Sequence, residues 1–352
     1  MKKTSKIMSL VLAGAMVLSL GACSGGGTAE TTKAELTEAV TAASSEEGTE
    51  AASEAGEGAG QTAEGTTYKI GILQLVQHTA LDAANEGFIA ALDDAGIAYE
   101  VDQQNASGDQ SACQTVASKF ANEKKDLILA IATPAAQAMV GAVEDTPVLV
   151  TAVTDPAESG LVDTNEKPGA NVTGTSDLTP VKEQIDLLKQ LVPDARTIGV
   201  LYCSAESNSK IQADMAKEAI AAAGMESKEY TVSSSNEIQT VVQSMVGAVD
   251  AVYAPTDNVI AAGMATVGMV AGDNNLPVIC GEAGMVQNGG LATYGIDYYQ
   301  LGYMTGQQAV KILTEGASPA DMPIEYLPVE KCELTVNEET AQTLGIDVSG
   351  LK

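Results

Sequence analysis

The chain is written nearly twice. Lys69-Ile-Gly-Ile-Leu73 opens a segment that runs through a polar loop and a helical stretch to Asp94-Ala-Gly-Ile97. Thr197-Ile-Gly-Val-Leu201 opens another of the same form, ending at Ala222-Ala-Gly-Met225. Asp126-Leu-Ile-Leu-Ala-Ile-Ala-Thr-Pro134 is answered by Asp250-Ala-Val-Tyr-Ala-Pro-Thr-Asp257, and Pro147-Val-Leu-Val150 by Pro277-Val-Ile-Cys280. The offsets, roughly 125–130 residues, agree within a loop length. Two similar lobes in one chain imply a cleft between them, and function is expected there. At 352 residues the chain has room for two such lobes, each large enough to bury its own core.

The first 23 residues read as a leader. Lys2, Lys3 and Lys6 make a positive start, and Ile7 to Leu20 is an apolar run too short for a membrane span. Leu20-Gly-Ala-Cys23 then resembles a bacterial lipobox, in which Cys23 is lipidated and anchors the mature chain to a membrane. The alternative is an ordinary cleaved signal with an incidental Cys. From Ser24 to Thr66 the composition changes to Gly, Ala, Ser, Thr and nine Glu, with no aromatic residue. Such a stretch cannot bury enough apolar surface to offset the entropy of ordering it, so it reads as a self-repelling tether.

The segments beyond alternate as in a parallel sheet flanked by helices. Strands are expected at Ile70–Val76, Tyr99–Gln103, Asp126–Ala132 and Val148–Val153, with helices at Ala80–Ala95, Gln110–Lys124 and Ala135–Val143. The second copy predicts strands at Thr197–Tyr202, Glu229–Val232, Ala251–Ala254 and Val278–Cys280, with helices at Lys210–Ala223, Asn236–Val246 and Val259–Gly272. Apolar runs bounded by polar residues are the mark of strands buried on both faces. The expected fold class is therefore α/β, two doubly wound parallel-sheet lobes with a ligand cleft between them. Asn171–Ser176 and Leu291–Asp297 are short extended stretches suited to crossing between lobes. Ile324–Val336 would cross a third time, after a helix at Tyr299–Leu313 has returned to the first lobe. The expected organisation is a leader at 1–23, a tether at 24–67, a first lobe at 68–175 with 295–322, and a second at 176–294 with 323–352.

In open parallel sheets ligands lie beyond the carboxyl ends of the strands, where helix N-termini point. Six loops fall there. In the first lobe they supply His78, Thr79, Thr133, Ala135, Thr154 and Asp155 as candidate ligand-binding residues. In the second they supply Ser204, Asn208, Ser209, Thr256, Asp257, Asn258 and Glu282, and Asp297 follows at a crossing. Free backbone N–H groups at such helix ends attract a carboxylate, although Ser, Thr, Asp and Asn also start helices with no ligand present. A side-chain carboxylate there could receive an ammonium group. Asp257 and Asp297 are the preferred partners for it, and His78 is a candidate donor.

Several function classes are excluded. A formal net charge of −29 leaves no basic face for nucleic acid. His78 is the sole histidine and no CxxC occurs, so zinc chemistry has no ligand set, and no cofactor is expected. No GxSxG elbow and no GxxxxGK[ST] loop is present, which argues against an enzyme. Cys113 falls in a helical stretch and Cys203 and Cys280 at strand ends. Buried free thiols are thus expected there and at Cys332, rather than the two disulfides an exported chain could carry.

His78-Thr-Ala-Leu-Asp-Ala-Ala84, Ala130-Ile-Ala-Thr-Pro-Ala-Ala-Gln137, Pro255-Thr-Asp-Asn258, Glu282 and Gly295-Ile-Asp-Tyr-Tyr-Gln-Leu-Gly302 together resemble the ABC-transporter substrate-binding lipoproteins assigned to tryptophan and tyrosine uptake. The similarity runs from about Tyr68 to Val348. It implies a periplasmic-binding-protein type I fold that closes on a small zwitterionic ligand, an aromatic or other apolar amino acid. It also implies a monomer outside the cytoplasmic membrane that delivers its ligand to an ABC permease and its ATPase subunit. Thr79 departs from the family, which usually has Pro there. With no Trp and two Phe, any aromatic stacking on the ligand would come from a Tyr such as Tyr202 or Tyr294. The alternatives are a nucleoside or sugar as ligand, or a sensor that presents its bound form to a membrane kinase.

Overall fold

The structure, a computed structural model, describes residues 66–351. The leader, Cys23 and the acidic stretch through residue 65 lie outside the described residues. The first lobe begins β1 (Tyr68–Gln74), α1 (Thr79–Asp94), β2 (Tyr99–Asn105), α2 (Gln110–Glu123), β3 (Leu127–Ile131), α3 (Thr133–Val140), β4 (Val148–Val153) and β5 (Val172–Ser176). The chain then passes through α4 (Val181–Leu191), β6 (Thr197–Cys203), α5 (Ser207–Ala222), β7 (Glu226–Val232), α6 (Ile238–Met245) and β8 (Ala251–Ala254). It continues with α7 (Asn258–Ala262), α8 (Met264–Asp273), β9 (Val278–Cys280), α9 (Ala283–Gln287) and β10 (Ala292–Gly295). Last come α10 (Tyr298–Val310), β11 (Glu325–Tyr326), β12 (Glu333–Val336) and α11 (Glu338–Leu344).

The duplication reappears as two six-stranded sheets of matching order, β11-β5-β4-β3-β1-β2 and β12-β10-β9-β8-β6-β7. Inner strands such as β3 and β4 are buried along their whole length, because helices cover both faces of a parallel sheet. The edge strands β2 and β7 alternate instead between half-buried and exposed residues. Pairing is parallel throughout except for β12, which runs antiparallel to β10. A wholly parallel sheet is expected above. The exception arises because the chain enters β12 directly from β11 in the other sheet, without a crossover helix to reverse its direction.

α10 returns to the first lobe and lies against α1. A Cβ on Gly302 would overlap the carbonyl oxygen of Ala84, and one on Gly87 would overlap that of Tyr299. Glycine at these points lets the two helix backbones touch. The helix expected over Val259–Gly272 is broken at Gly263, whose missing Cβ makes room for Ile238 of α6. α4 and α9 are not among the expected elements. α4 does carry Val181, Ile185 and Leu188 at helical spacing, all buried. Cys113, Cys203, Cys280 and Cys332 are all free thiols. No helix among the described residues is long and apolar enough to cross a membrane.

Candidate functional site

In both sheets the strand order reverses between the first strand of the lobe and its neighbours, β1 in one and β6 in the other. Loops leaving the carboxyl ends at such a switch point diverge and leave a crevice. The two crevices face each other, and the lobes are closed on them. Nε2 of His78 meets Oδ1 of Asn258 at 3.3 Å. Gln212 of α5 donates to Thr154 Oγ1 at the end of β4 at 2.9 Å. At the rim Gln110 donates to the Ala205 carbonyl and Gln137 to the Ser207 hydroxyl, both at 3.3 Å.

Enclosed between the lobes is a small cavity lined by His78, Leu81, Ala152, Asp177, Asn208, Thr256, Asp257, Asn258, Ala261, Glu282 and Tyr298. In this closed arrangement it measures about 10 Å³, roughly the room of one water, so an amino acid enters only as the lobes part. Beside it lies a groove of about 510 Å³, lined among others by Leu75, Val76, Pro134, Ala205, Glu206, Ser234 and Asn258. Asn258 belongs to both walls.

Four buried carboxylates surround this region, and neither Lys nor Arg lines either space. They form two pairs. Glu206 and Asp257 act on each other electrostatically. Asp257 caps α7, accepting from the backbone N–H of Ile260 at 2.8 Å and from that of Cys203. Oε2 of Glu206 accepts from Nδ2 of Asn258 at 2.7 Å, Nδ2 of Asn208 at 3.1 Å and the Asn258 N–H at 3.3 Å. The second pair is Asp177 and Glu282. Glu282 caps α9 through the N–H groups of Gly284 and Met285, and Asp177 Oδ2 accepts from the Tyr298 hydroxyl at 2.8 Å. Burial penalises the charged form of each. It pushes Asp177 up to about 6 and Glu206 and Glu282 up to about 7, and it raises Asp257 as well. Burial likewise lowers the pKa of His78.

The candidate residues are not gathered evenly. His78, Asn208, Thr256, Asp257, Asn258 and Glu282 line the cavity, with Ser209 and Thr154 buried beside it. Thr133 is buried at the start of α3, its hydroxyl without a partner. The others lie away from the cavity lining. Asp297 is exposed and caps α10 through the Gln300 N–H at 3.1 Å. Asp155 is occupied within its own turn by Ala157, Glu158 and Asn165. Ala135 lies in the first lobe's core, Ser204 is exposed, and Thr79 is exposed where it approaches Gly284. Tyr202 packs in the second lobe's core, and neither it nor Tyr294 lines the cavity.

Asp177, Tyr298 and Glu206 are the residues that sequence reasoning missed. Each sits within two residues of something it did single out: Ser176 at a crossing, Asp297 at a cap, Ser204 and Asn208 in a loop. Their signal was a carboxylate or phenol beside an apolar strand end, which does not by itself tell cavity from surface.

Duplicated α/β lobes closed on an acidic cavity at their strand ends define a two-lobed solute-binding protein. The chain belongs to the ABC transporter substrate-binding protein family, whose profile matches residues 69–350. Such proteins work outside the cytoplasmic membrane with an ABC transporter. A tyrosine-binding protein of Clostridioides difficile strain R20291 is 46% identical over 279 residues, covering 78% of this chain and 80% of that protein. The solved ABC domain of Streptococcus pneumoniae in complex with L-Trp matches with a TM-score of 0.78 at 39% identity, over 81% of this chain and 97% of that one. A ligand-free, open substrate-binding protein with adhesive properties from Clostridium difficile matches with a TM-score of 0.63 at 46% identity, with the same coverage. The open relative is closer in sequence yet superposes less well, so the lobes here stand nearer to those of the L-Trp complex.

Proposed function

We propose that this protein is a monomeric, lipid-anchored receptor that captures an aromatic amino acid by hinge closure and presents it to a membrane permease with its ATPase. It turns nothing over. The observation that carries this reading is the closed inter-lobe cavity lined by three buried carboxylates, with Glu206 in the adjoining groove, and by neither Lys nor Arg. An ammonium group offsets that charge as no residue of the chain does. Asp177, whose Oδ1 has no partner, is its first contact in this reading, with Glu282 paired beside it, whereas Asp257 shares its charge with Glu206. α1, α3 and α5 begin without a side-chain cap, leaving backbone N–H groups for the ligand's carboxylate. The relatives that bind tyrosine and L-Trp support an aromatic side chain. The hinge lies where the chain changes lobe, between β5 and α4, between β10 and α10, and between β11 and β12. The last falls beyond the expected 322/323 because β11 still pairs with β5, and three crossings limit the hinge's twist.

Thermal denaturation with amino acids, sugars and nucleosides tests the reading. Tyrosine or tryptophan at a hundred times its Kd should stabilise the fold by about 2.7 kcal/mol; stabilisation by a sugar or nucleoside alone would refute it. Cys23→Ala should move the protein from the membrane to the soluble fraction, and membrane retention would remove the anchor from the proposal.

A further inference from the structure

Three buried polar atoms of cavity-lining residues have no hydrogen-bond partner: Asp177 Oδ1, Asn208 Oδ1 and His78 Nδ1. Their chemistry can be worked out one by one. A carboxylate oxygen accepts, and so does an amide oxygen. The histidine depends on its tautomer, and the tautomer is set from the second lobe. Glu206 Oε2 receives three N–H groups, one of them the backbone N–H of Asn258. That oxygen is therefore an acceptor, and Asn258 must turn its Nδ2 toward it. Oδ1 of Asn258 then faces His78, so Nε2 of the ring carries the hydrogen. Burial disfavours a second proton, which leaves Nδ1 as a lone-pair acceptor. Sequence reasoning expects His78 to donate; the relay from Glu206 through Asn258 makes it accept.

All three unpaired atoms thus demand donors from a ligand. An ammonium belongs with the carboxylate pair of Asp177 and Glu282, where its charge is answered. His78 belongs instead to the Asn258 side of the cavity, where its Nε2 is tied to Oδ1 of Asn258 and no hydrogen bond joins it to either acid. A neutral acceptor at this place suits a neutral donor. We propose that His78 Nδ1 reads the hydrogen-bond donor on the ligand's side chain, a phenolic O–H or an indole N–H. His78 is then the residue that separates tyrosine and tryptophan from phenylalanine. The inference rests on the proposed function, because it presumes an aromatic amino acid in this cavity. A site built to pair such a group rejects the analogue lacking it, since the buried acceptor is left unsatisfied.

The test is titration calorimetry on the detergent-solubilised full chain with L-tyrosine, L-tryptophan, L-phenylalanine and O-methyl-L-tyrosine. Phenylalanine and the methyl ether should bind roughly 10- to 100-fold more weakly than tyrosine. In His78→Leu that ratio should collapse to within about threefold, tyrosine losing most. The native protein carries the test even where the variant does not fold. Equal affinity for tyrosine and phenylalanine overturns the inference and leaves the aromatic reading standing. An equal loss for all four ligands in His78→Leu also overturns it, placing His78 at the group they share. Binding of none of the four refutes the underlying reading, and the inference with it.

Discussion

Replacing Asp177 by Asn should favour closure of the empty receptor. Asp177 lies between β5 and α4, fully enclosed, with Tyr298 on one oxygen and nothing on the other. Its pKa rises from an ordinary 3.8 to about 6 because burial penalises the charge, and that difference corresponds to about 3 kcal/mol. At neutral pH the closed, empty form bears this penalty and an open, hydrated cleft escapes it, so ionised Asp177 disfavours empty closure roughly 100-fold. The sign with pH follows from proton binding. The closed form holds the extra proton, so its advantage is complete below about pH 4 and is lost as pH rises through about 6. Glu282, pushed up to about 7 by the same cause, extends the loss to neutrality. Small-angle X-ray scattering of the ligand-free protein should therefore show a smaller radius of gyration at pH 5 than at pH 8. At pH 8 Asp177→Asn should have a smaller radius than the native chain, with ionised Glu282 still opposing full closure, while its affinity for the amino acid falls roughly 10- to 100-fold. An Asp177→Asn radius no smaller than the native one at pH 8, or a radius that does not respond to pH in the native chain, would refute the reasoning.

Three further outcomes follow from the same structure. Binding an ammonium near pH 6 should release protons from Asp177 and Glu282, seen as a binding enthalpy that scales with the ionisation enthalpy of the buffer; no such scaling would count against the acid pair as its partner. Gln184→Leu should destabilise the second lobe by about 3 kcal/mol, because the fully buried amide donates to the Gly281 and Tyr294 carbonyls and accepts from Tyr253. A fall in Tm of less than about 2 °C would contradict it. Gly302→Ala should cost about 2 kcal/mol or more by forcing α10 off the Ala84 carbonyl, read by urea denaturation, and an unchanged midpoint would sink the argument.

Where an element's identity is decided locally, the sequence was a sufficient guide. The bounds expected for β4, β8 and β9 are those found, because a β-rich apolar run between Pro or Asp and a polar loop permits little else. α4 carries the same kind of signal in its 3.6-residue spacing, although it is not among the expected elements. The break at Gly263 was not, since a lone Gly in a helical pattern is usually tolerated. Here it depends on Ile238, 25 positions earlier in the chain, needing the space.

The site divides along the same line. Its loops could be found because strand ends are local and the two copies name them twice. Which residues in those loops share a wall could not. Asp257 and Asp297 read alike, an acid at a helix start. One is buried between two backbone donors at the cavity and the other caps α10 in solvent. Asp177 and Glu282 meet only because a crossing strand and a second-lobe loop end at the same cleft. The sequence by itself determined two α/β lobes, the succession of their elements along the chain and the loops that face the cleft, because hydrophobic periodicity and duplication are carried by neighbouring residues. Packing within the second lobe decided which oxygen of Glu206 faces Asn258, and lobe closure set Asn258 against His78 and so decided which ring nitrogen is left to accept. Desolvation and hydrogen-bond direction depend on what surrounds an atom in space, and those neighbours are distant in the chain or, for His78, on the other lobe.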